Sequence, residues 1–407
     1  MSVKLDLIVG LDIGTTAVTV VAASIKEGGQ VDIVGVGTAP SRGLRKGVVI
    51  NIEATVNSIT KALAQAETMA GSELTTAFAA LSGNHIRGLN SHGIVAIKNK
   101  EVSAFDIERV IEAAKAVAIP VDREILHVLP QEFVIDEQDG IREPIGISGV
   151  RLEARVHIVT GAVASAQNVV KCANRCGLAV EDIMLGALAS GQAVLTAEER
   201  ELGVLLIDIG GGTTDLVIYH AGAVKHTAVL PLGGAHITND IAAGLRTPIA
   251  AAEEIKCRAG AAIAAAVSPH ETVEVPSTGG RIPRVISRNV LAEIVQPRVE
   301  EILSLAQREV IKAGFYDHLT GGVVITGGTA NLNGISRIAE KVFNLPVRIG
   351  SPLALGGLAE LVNGPQYATA VGLTQLGASS SQRSPRAARG KIGSIVRRVS
   401  SWISEQF

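Results

Sequence analysis

The sequence predicts an α/β protein in which one plan is used twice, and three observations carry that prediction. Val, Ile, Leu and Ala dominate a 407-residue chain that is 47% hydrophobic, only 2% aromatic, and holds 44 glycines. That composition suits buried strands alternating with helices. Next, "LIVGLDIGTTAVTVVAA" (7–23) and "VLLIDIGGGTTDLVIYHAG" (204–222) match as apolar run, Asp-Ile-Gly, Thr-Thr and a second apolar run. Last, "TAFAALSGNHIRG" (76–88) and "GGVVITGGTANLNG" (321–334) correspond as strand, small polar turn and onward chain. Internal repeats decide an architecture before local detail does.

The N-terminal run "MSVKLDLIVGLDIG" carries acids and no small-residue cleavage site, so it reads as a strand and not as a secretory leader. Each Asp-Ile-Gly segment reads as a β-hairpin whose tip is the Gly-Thr cluster. The halves are interrupted. Residues 85–160 read as a β-α-β-β unit whose helix, "SAFDIERVIEAAKAVA", opens on a Ser103–Asp106 capping box. Residues 242–297 open with the helix-like "PIAAAEEIKCRAGAAIA" and continue through a stretch broken by Pro and Gly. The predicted units are 1–84 with 161–195 as the first core lobe and 196–241 with 298–377 as the second. The two insertions, a flexible Ser/Arg/Pro linker over 378–390 and a terminal segment over 391–407 complete the chain.

A net charge of -2 gives no reason to expect nucleic acid. Cys172, Cys176 and Cys257 are too few for a disulfide framework, and no nearby His or acid completes a metal set; they are expected to be buried structural thiols. No uncharged apolar run reaches the ~18 residues of a membrane span. A reducing cytoplasm is the expected compartment.

A hairpin tip of Gly and Thr exposes backbone N–H groups with no side chain in the way, and a concave row of amides binds anionic oxygens. Glycine also permits close approach. Gly14, Thr15 and Thr16 form one such tip; Gly210, Gly211, Gly212 and Thr213 form the other. Facing each other, the two would clamp a polyphosphate. Asp12 and Asp208, at the strand ends, cannot face phosphate without a cation, which predicts Mg²⁺ held largely through water. Gly327-Gly328, delivered by a buried strand, would set bare backbone against a purine or ribose. Glu253 and Lys256 share a helical face and would reach ribose hydroxyls and base edge; a solvated surface salt bridge is the alternative.

The terminal segment "KIGSIVRRVSSWISEQF" places Ile392, Ile395, Val396, Val399, Trp402, Ile403 and Phe407 at helical spacing. Arg397 and Arg398 lie on the remainder. A short basic amphipathic helix on a loose tether predicts an in-plane anchor on anionic lipid; docking on its own protein or a partner is the alternative.

Taken together, "ELGVLLIDIGGGTTDLVIYHAG", "PLGGAHITNDIA", "AAEEIKCRAG", "VVITGGTANLNGI", "VRIGSPL" and "YATAVGL" resemble the actin, hexokinase and heat-shock-chaperone ATPase superfamily, and within it the FtsA family of bacterial cell-division proteins. The resemblance covers essentially the whole chain. It implies a duplicated ribonuclease-H-like, actin-like fold of two lobes with an inserted subdomain in each half and a C-terminal amphipathic helix. It implies ATP in the cleft between the lobes, with Gly233, Gly234 and Thr329 added to the nucleotide-binding set. It further implies filaments of the chain itself, binding of the C-terminal tail of the tubulin-like protein FtsZ, recruitment of later division proteins, and a place on the cytoplasmic face of the cell membrane at the division site. In such proteins the second insertion takes the FtsZ tail, and Arg284 and Arg288 are the candidate contacts.

Strong ATPases of this superfamily orient water with a Gln or Glu at the start of the helix before the second phosphate loop. Met184, Leu185, Gly186 and Ala187 supply neither, and Gln192 lies later on that helix as a possible substitute. At most weak hydrolysis is expected, with ATP as a structural ligand. A soluble sugar or acid kinase of the same superfamily is the alternative; it lacks a visible catalytic base and has no use for the tail. A folding chaperone would need an appended peptide-binding domain.

Overall fold

The structure is a computed structural model that describes residues 7–26, 29–277, 279 and 282–383. Strands β1 (Leu7–Ile13) and β2 (Ala17–Ile25) form the first hairpin, and β3 (Val31–Pro40) extends it antiparallel. A small hairpin follows, β4 (Leu44–Arg45) and β5 (Val48–Val49), turning on Lys46 and Gly47, both at positive φ, 51° and 75°. Two consecutive left-handed residues are what a two-residue hairpin turn demands. Helix α1 (Ile52–Ala70) starts on Asn51, whose side chain accepts from the Ala54 N–H, and ends at left-handed Gly71. Strand β6 (Thr76–Leu81) then returns parallel to β1.

The first insertion holds β7 (Arg87–Ala96), α2 (Ala104–Ala114), β8 (Arg123–Ile135), β9 (Gln138–Ile141) and β10 (Arg151–Ala162). Their sheet runs β7-β10-β8-β9 around a core of its own that includes Phe133, Leu152 and Ile158. The Ser103–Asp106 capping box is present. Strand β9 is an addition to the β-α-β-β reading. Its "QDGI" stretch lacks apolar alternation and pairs because it folds straight back on β8.

The chain continues through α3 (Val163–Arg175), β11 (Ala179–Leu185), α4 (Gly186–Val194) and α5 (Ala197–Leu202). The second half comprises β12 (Val204–Ile209), β13 (Thr214–His220), β14 (Ala223–Leu230), α6 (Gly234–Leu245), α7 (Ile249–Ala259), β15 (Thr272–Val275) and β16 (Arg284–Ser287). It closes with α8 (Arg288–Ala313), β17 (Val323–Thr326), α9 (Ile335–Phe343), β18 (Val347–Ile349), β19 (Leu355–Gly357) and α10 (Ala368–Arg383).

The duplication is explicit in the strand orders. One sheet runs β11-β6-β1-β2-β3-β19 and the other β18-β17-β12-β13-β14, so the repeated hairpins and the repeated parallel strands occupy equivalent places. Helices α4 and α10 pack against each other, and their residues share a core with both sheets. The outer face of the second sheet packs on α6, α7, α8 and α9. The first insertion also reaches the second lobe, where Gln131 Nε2 donates to Val224 O at 2.9 Å and His157 Nε2 lies 2.8 Å from Thr227 Oγ1.

Three predicted boundaries differ from the structure. Residues up to 377 do not all belong to the second lobe: β19 pairs with β3, and Ala370, Val371 and Leu373 of α10 are buried in the first-lobe core. The second insertion does not end at Pro297, because α8 runs through it; buried Val295 and Val299 on either side hold the helix where one N–H is missing. The linker does not begin at 378. Ala378 is 3% exposed in the core, and Ser379 and Ser380 return hydrogen bonds to Gln375 O and Leu376 O, so 378–383 continue α10. Residues 384–407, with the membrane positions Ile392, Ile395, Val396, Arg397, Arg398, Val399, Trp402, Ile403 and Phe407, lie outside the described residues. Among the described residues no helix is long and apolar enough to cross a membrane. Cys172 is buried and Cys176 half-buried, but Cys257 is exposed on α7, so the expectation of three buried thiols fails there.

Candidate functional site

The two Gly-Thr tips are closed by the same bond. Gly14 N donates to Ala17 O at 3.0 Å, and Gly210 N donates to Thr213 O at 3.0 Å. They face each other so closely that a methyl group on Gly212 would meet Thr15 Oγ1 at 2.5 Å and one on Gly211 would collide with Thr16 Oγ1. Glycine is therefore required by approach, not by turn geometry alone.

The other predicted positions gather on the second tip. Gly234 N donates to Gly210 O at 2.9 Å and Ala235 N to Gly211 O at 2.7 Å, which seats Gly233, Gly234 and the start of α6 directly behind it. Thr329 Oγ1 donates to Gly210 O at 3.1 Å. Gly327 takes φ 84°, and a side chain there would collide with Asp208 Oδ1; Gly328 follows it. Lys256 Nζ donates to Gly234 O at 3.1 Å and to Thr238 Oγ1 at 3.0 Å, and pairs with Glu253 Oε2 at 2.7 Å. Thr238 also donates to Glu253. Glu253 and Lys256 are thus tied to α6, not loose in solvent, and Lys256 with Thr238 holds the Glu253 carboxyl low against the opposing effect of burial.

Arg284 and Arg288 are not part of this cluster. Arg284 donates to Leu245 O; Arg288 Nε donates to Ala259 O at 2.7 Å and its guanidinium pairs with Glu271. Both brace their own subdomain.

Three acids, Asp12, Asp208 and Asp215, lie at the hairpin strand ends beside the tips. Asp208 and Asp215 are direct cross-strand partners on β12 and β13, at 8% and 5% exposure. Burial, then the charge of Asp208, pushes Asp12 up to about 7. Burial, then Asp208, pushes Asp215 up to about 8; Thr213 and Ser82 act against the shift. Burial raises Asp208 as well, opposed by hydrogen bonds from Ser190 at 2.5 Å and Thr369 at 3.3 Å. Among the described residues no basic side chain offsets any of the three, and Asp215 Oδ1 is buried without a partner. Like charges facing across a strand pair are unfavourable unless a cation joins them. Among the described residues no three His, Cys, Asp or Glu are grouped to chelate a bare ion. The donor set fits a hydrated divalent cation reached through water.

Asp215 escaped the sequence reading, although it ends the very motif that carried it. Its register opposite Asp208 follows from the short hairpin and could have found it. Ser82, Ser190, Thr238 and Thr369 carry no motif. Gln192 accepts from Arg200 at 3.1 Å in the last turn of α4, and the helix opens on Leu185, Gly186 and Ala187, so no side-chain amide or acid stands at its start.

Comparisons with known proteins converge. A family model described as "Cell division protein FtsA" matches residues 205–372, and one described as "SHS2 domain inserted in FTSA" matches residues 83–160. A relative from Pseudomonas aeruginosa, "Cell division protein FtsA", is 54% identical over 371 residues, 91% of this chain and 89% of the relative. Among solved structures, the PilM-PilN type IV pilus biogenesis complex matches with TM-score 0.66 at 18% identity, covering 91% of this chain and 98% of that one. MreB5 of Spiroplasma citri bound to ADP matches with TM-score 0.55 at 16% identity, covering 93% and 99%. The two likenesses to solved structures establish an actin-like fold.

Proposed function

The chain belongs to the FtsA family of cell division proteins, and from that premise we propose that it is an ATP-binding protein which forms filaments on the cytoplasmic membrane face and tethers the FtsZ ring there. Gly14, Thr15, Thr16 and the Gly210–Thr213 tip would hold the phosphates. Gly233 and Gly234 would support the second tip; Glu253, Lys256, Gly327, Gly328 and Thr329 would address the nucleoside. Asp12 and Asp208, joined by Asp215, would hold Mg²⁺ through water, and that ion would neutralise charge on the phosphates when bound.

One observation supports this reading most: two glycine tips face each other beside the carboxylates of half-buried Asp12 and buried Asp208 and Asp215, which no basic side chain offsets among the described residues. A cleft with that charge deficit favours a cation, and the tips favour an anion, so the pair of ligands is taken together. The absence of an acid or amide at the start of α4 supports slow hydrolysis, with ATP acting as a polymer switch. The tail would supply the lipid contact, and the second insertion would receive the FtsZ tail peptide, with exposed Arg284 and the half-buried, Glu271-paired Arg288 as candidate contacts. Later division proteins would meet the first insertion.

Nucleotide titration with and without Mg²⁺, followed by electron microscopy on lipid monolayers, tests the proposal. Mg²⁺-dependent ATP binding and filaments are expected. A nucleotide seated outside the cleft would overturn it. For the tail, Trp402→Glu should no longer float with anionic vesicles.

A further inference from the structure

A third turn is wedged between the two tips. Gly47 N, in the β4–β5 turn, donates to Thr15 Oγ1 at 3.1 Å, on the first tip. A methyl on Gly212, on the second tip, would meet the Lys46 Cα at 3.0 Å. A methyl on Gly47 would meet Gly83 Cα at 2.8 Å and Ser82 O at 2.9 Å, so the turn is also pressed against the segment leaving β6. Lys46 holds φ 51°. Gly or Asn takes that conformation more readily than Lys, so backbone geometry does not explain the residue. Left-handed non-glycine residues gather at functional sites. The Lys46 ammonium has no hydrogen-bond or ion-pair partner among the described residues, and it does not offset Asp12, Asp208 or Asp215. The backbone of a half-buried lysine, its ammonium unpaired among the described residues, thus stands where both tips converge.

We propose that Lys46 is a specificity-determining residue that pairs with the terminal phosphate of a nucleoside triphosphate and so separates tri- from diphosphate. The inference rests on the nucleotide reading of the cleft. A polyphosphate held by both tips places its outermost charge near the turn that touches both. Charge-assisted bonds to phosphate are about twice as strong as neutral ones, and a diphosphate would forgo this one.

The test uses the full chain and titrates Mg·ATP and Mg·ADP against the parent, Lys46→Asn and Lys46→Arg, with melting curves alongside. Asn tolerates the left-handed turn and removes the charge. For Lys46→Asn, ATP affinity should fall about tenfold or more while ADP affinity changes less than about threefold, and Lys46→Arg should keep most of the parent's preference. An unchanged ATP-to-ADP ratio in Lys46→Asn overturns the assignment, whether both affinities hold or both fall with a lowered melting temperature. A parent that binds neither nucleotide overturns the reading of the cleft itself, and this inference with it.

Discussion

Ser190 Oγ lies 2.5 Å from Asp208 Oδ2 and 2.9 Å from Thr369 Oγ1, so one hydroxyl on α4 ties the second-lobe acid to the start of α10. Hydrogen bonds to charged groups are worth about 1.5–3 kcal/mol. Ser190→Ala should raise Asp208 further and weaken Mg²⁺-dependent nucleotide binding by about tenfold or more. Titration in EDTA, where the acid has no cation to hold, should show a much smaller effect; equal losses in both would contradict the assignment.

Asp215 sits at about 8, far above an unfolded aspartate. Between about pH 4 and 8 the folded chain retains a proton that the unfolded chain has released. The carboxyl's contribution is therefore complete at low pH and is lost as pH rises through the folded value, by up to about 1.4 kcal/mol per unit. In melts of the nucleotide-free protein from pH 5 to 8, the parent should lose stability faster than Asp215→Asn. Parallel slopes would refute the uncompensated cluster.

His157 runs the other way. Burial, aided by His226, pushes it down to about 3, and its ring bridges Asn90 Oδ1 at 2.6 Å and Thr227 Oγ1 at 2.8 Å. The unfolded chain takes up the proton first as pH drops below about 6.5, so this contribution is present above that value and is lost toward pH 3. His157→Gln should be less stable than the parent at pH 7 and converge with it by pH 4 in denaturant titrations. A constant gap would remove the ring from the bridge.

Gly372 puts α10 backbone against α4 backbone, since a methyl there would run into the Ala189 carbonyl. Gly→Ala inside a helix usually stabilises by about 0.5–1 kcal/mol. Here overpacking should reverse the sign and cost about 1–3 kcal/mol. A Gly372→Ala protein that melts at or above the parent temperature would show the contact to be slack.

Much of this was legible because its causes are local. The hairpins, the Ser103 cap and the matching of β6 with β17 follow from short periodic patterns and turn residues. The glycines of the cleft were legible because approach between backbones leaves a mark in the sequence. What escaped depends on distant partners. Nothing in the three-residue β19 announces that it pairs with β3, and Pro297 normally ends a helix that its buried neighbours here sustain. Nothing near Lys46-Gly47 in the sequence ties that turn to the cleft, and only the tertiary fold brings it against Thr15 and Gly212.

The return of α10 to the first lobe has a mechanical corollary. Whatever follows Arg383 hangs from the half of the molecule that also carries the first insertion. Were that end moored to a surface, the half bearing β12 and β17 would be the free jaw, and each opening of the cleft would swing it against a stationary base.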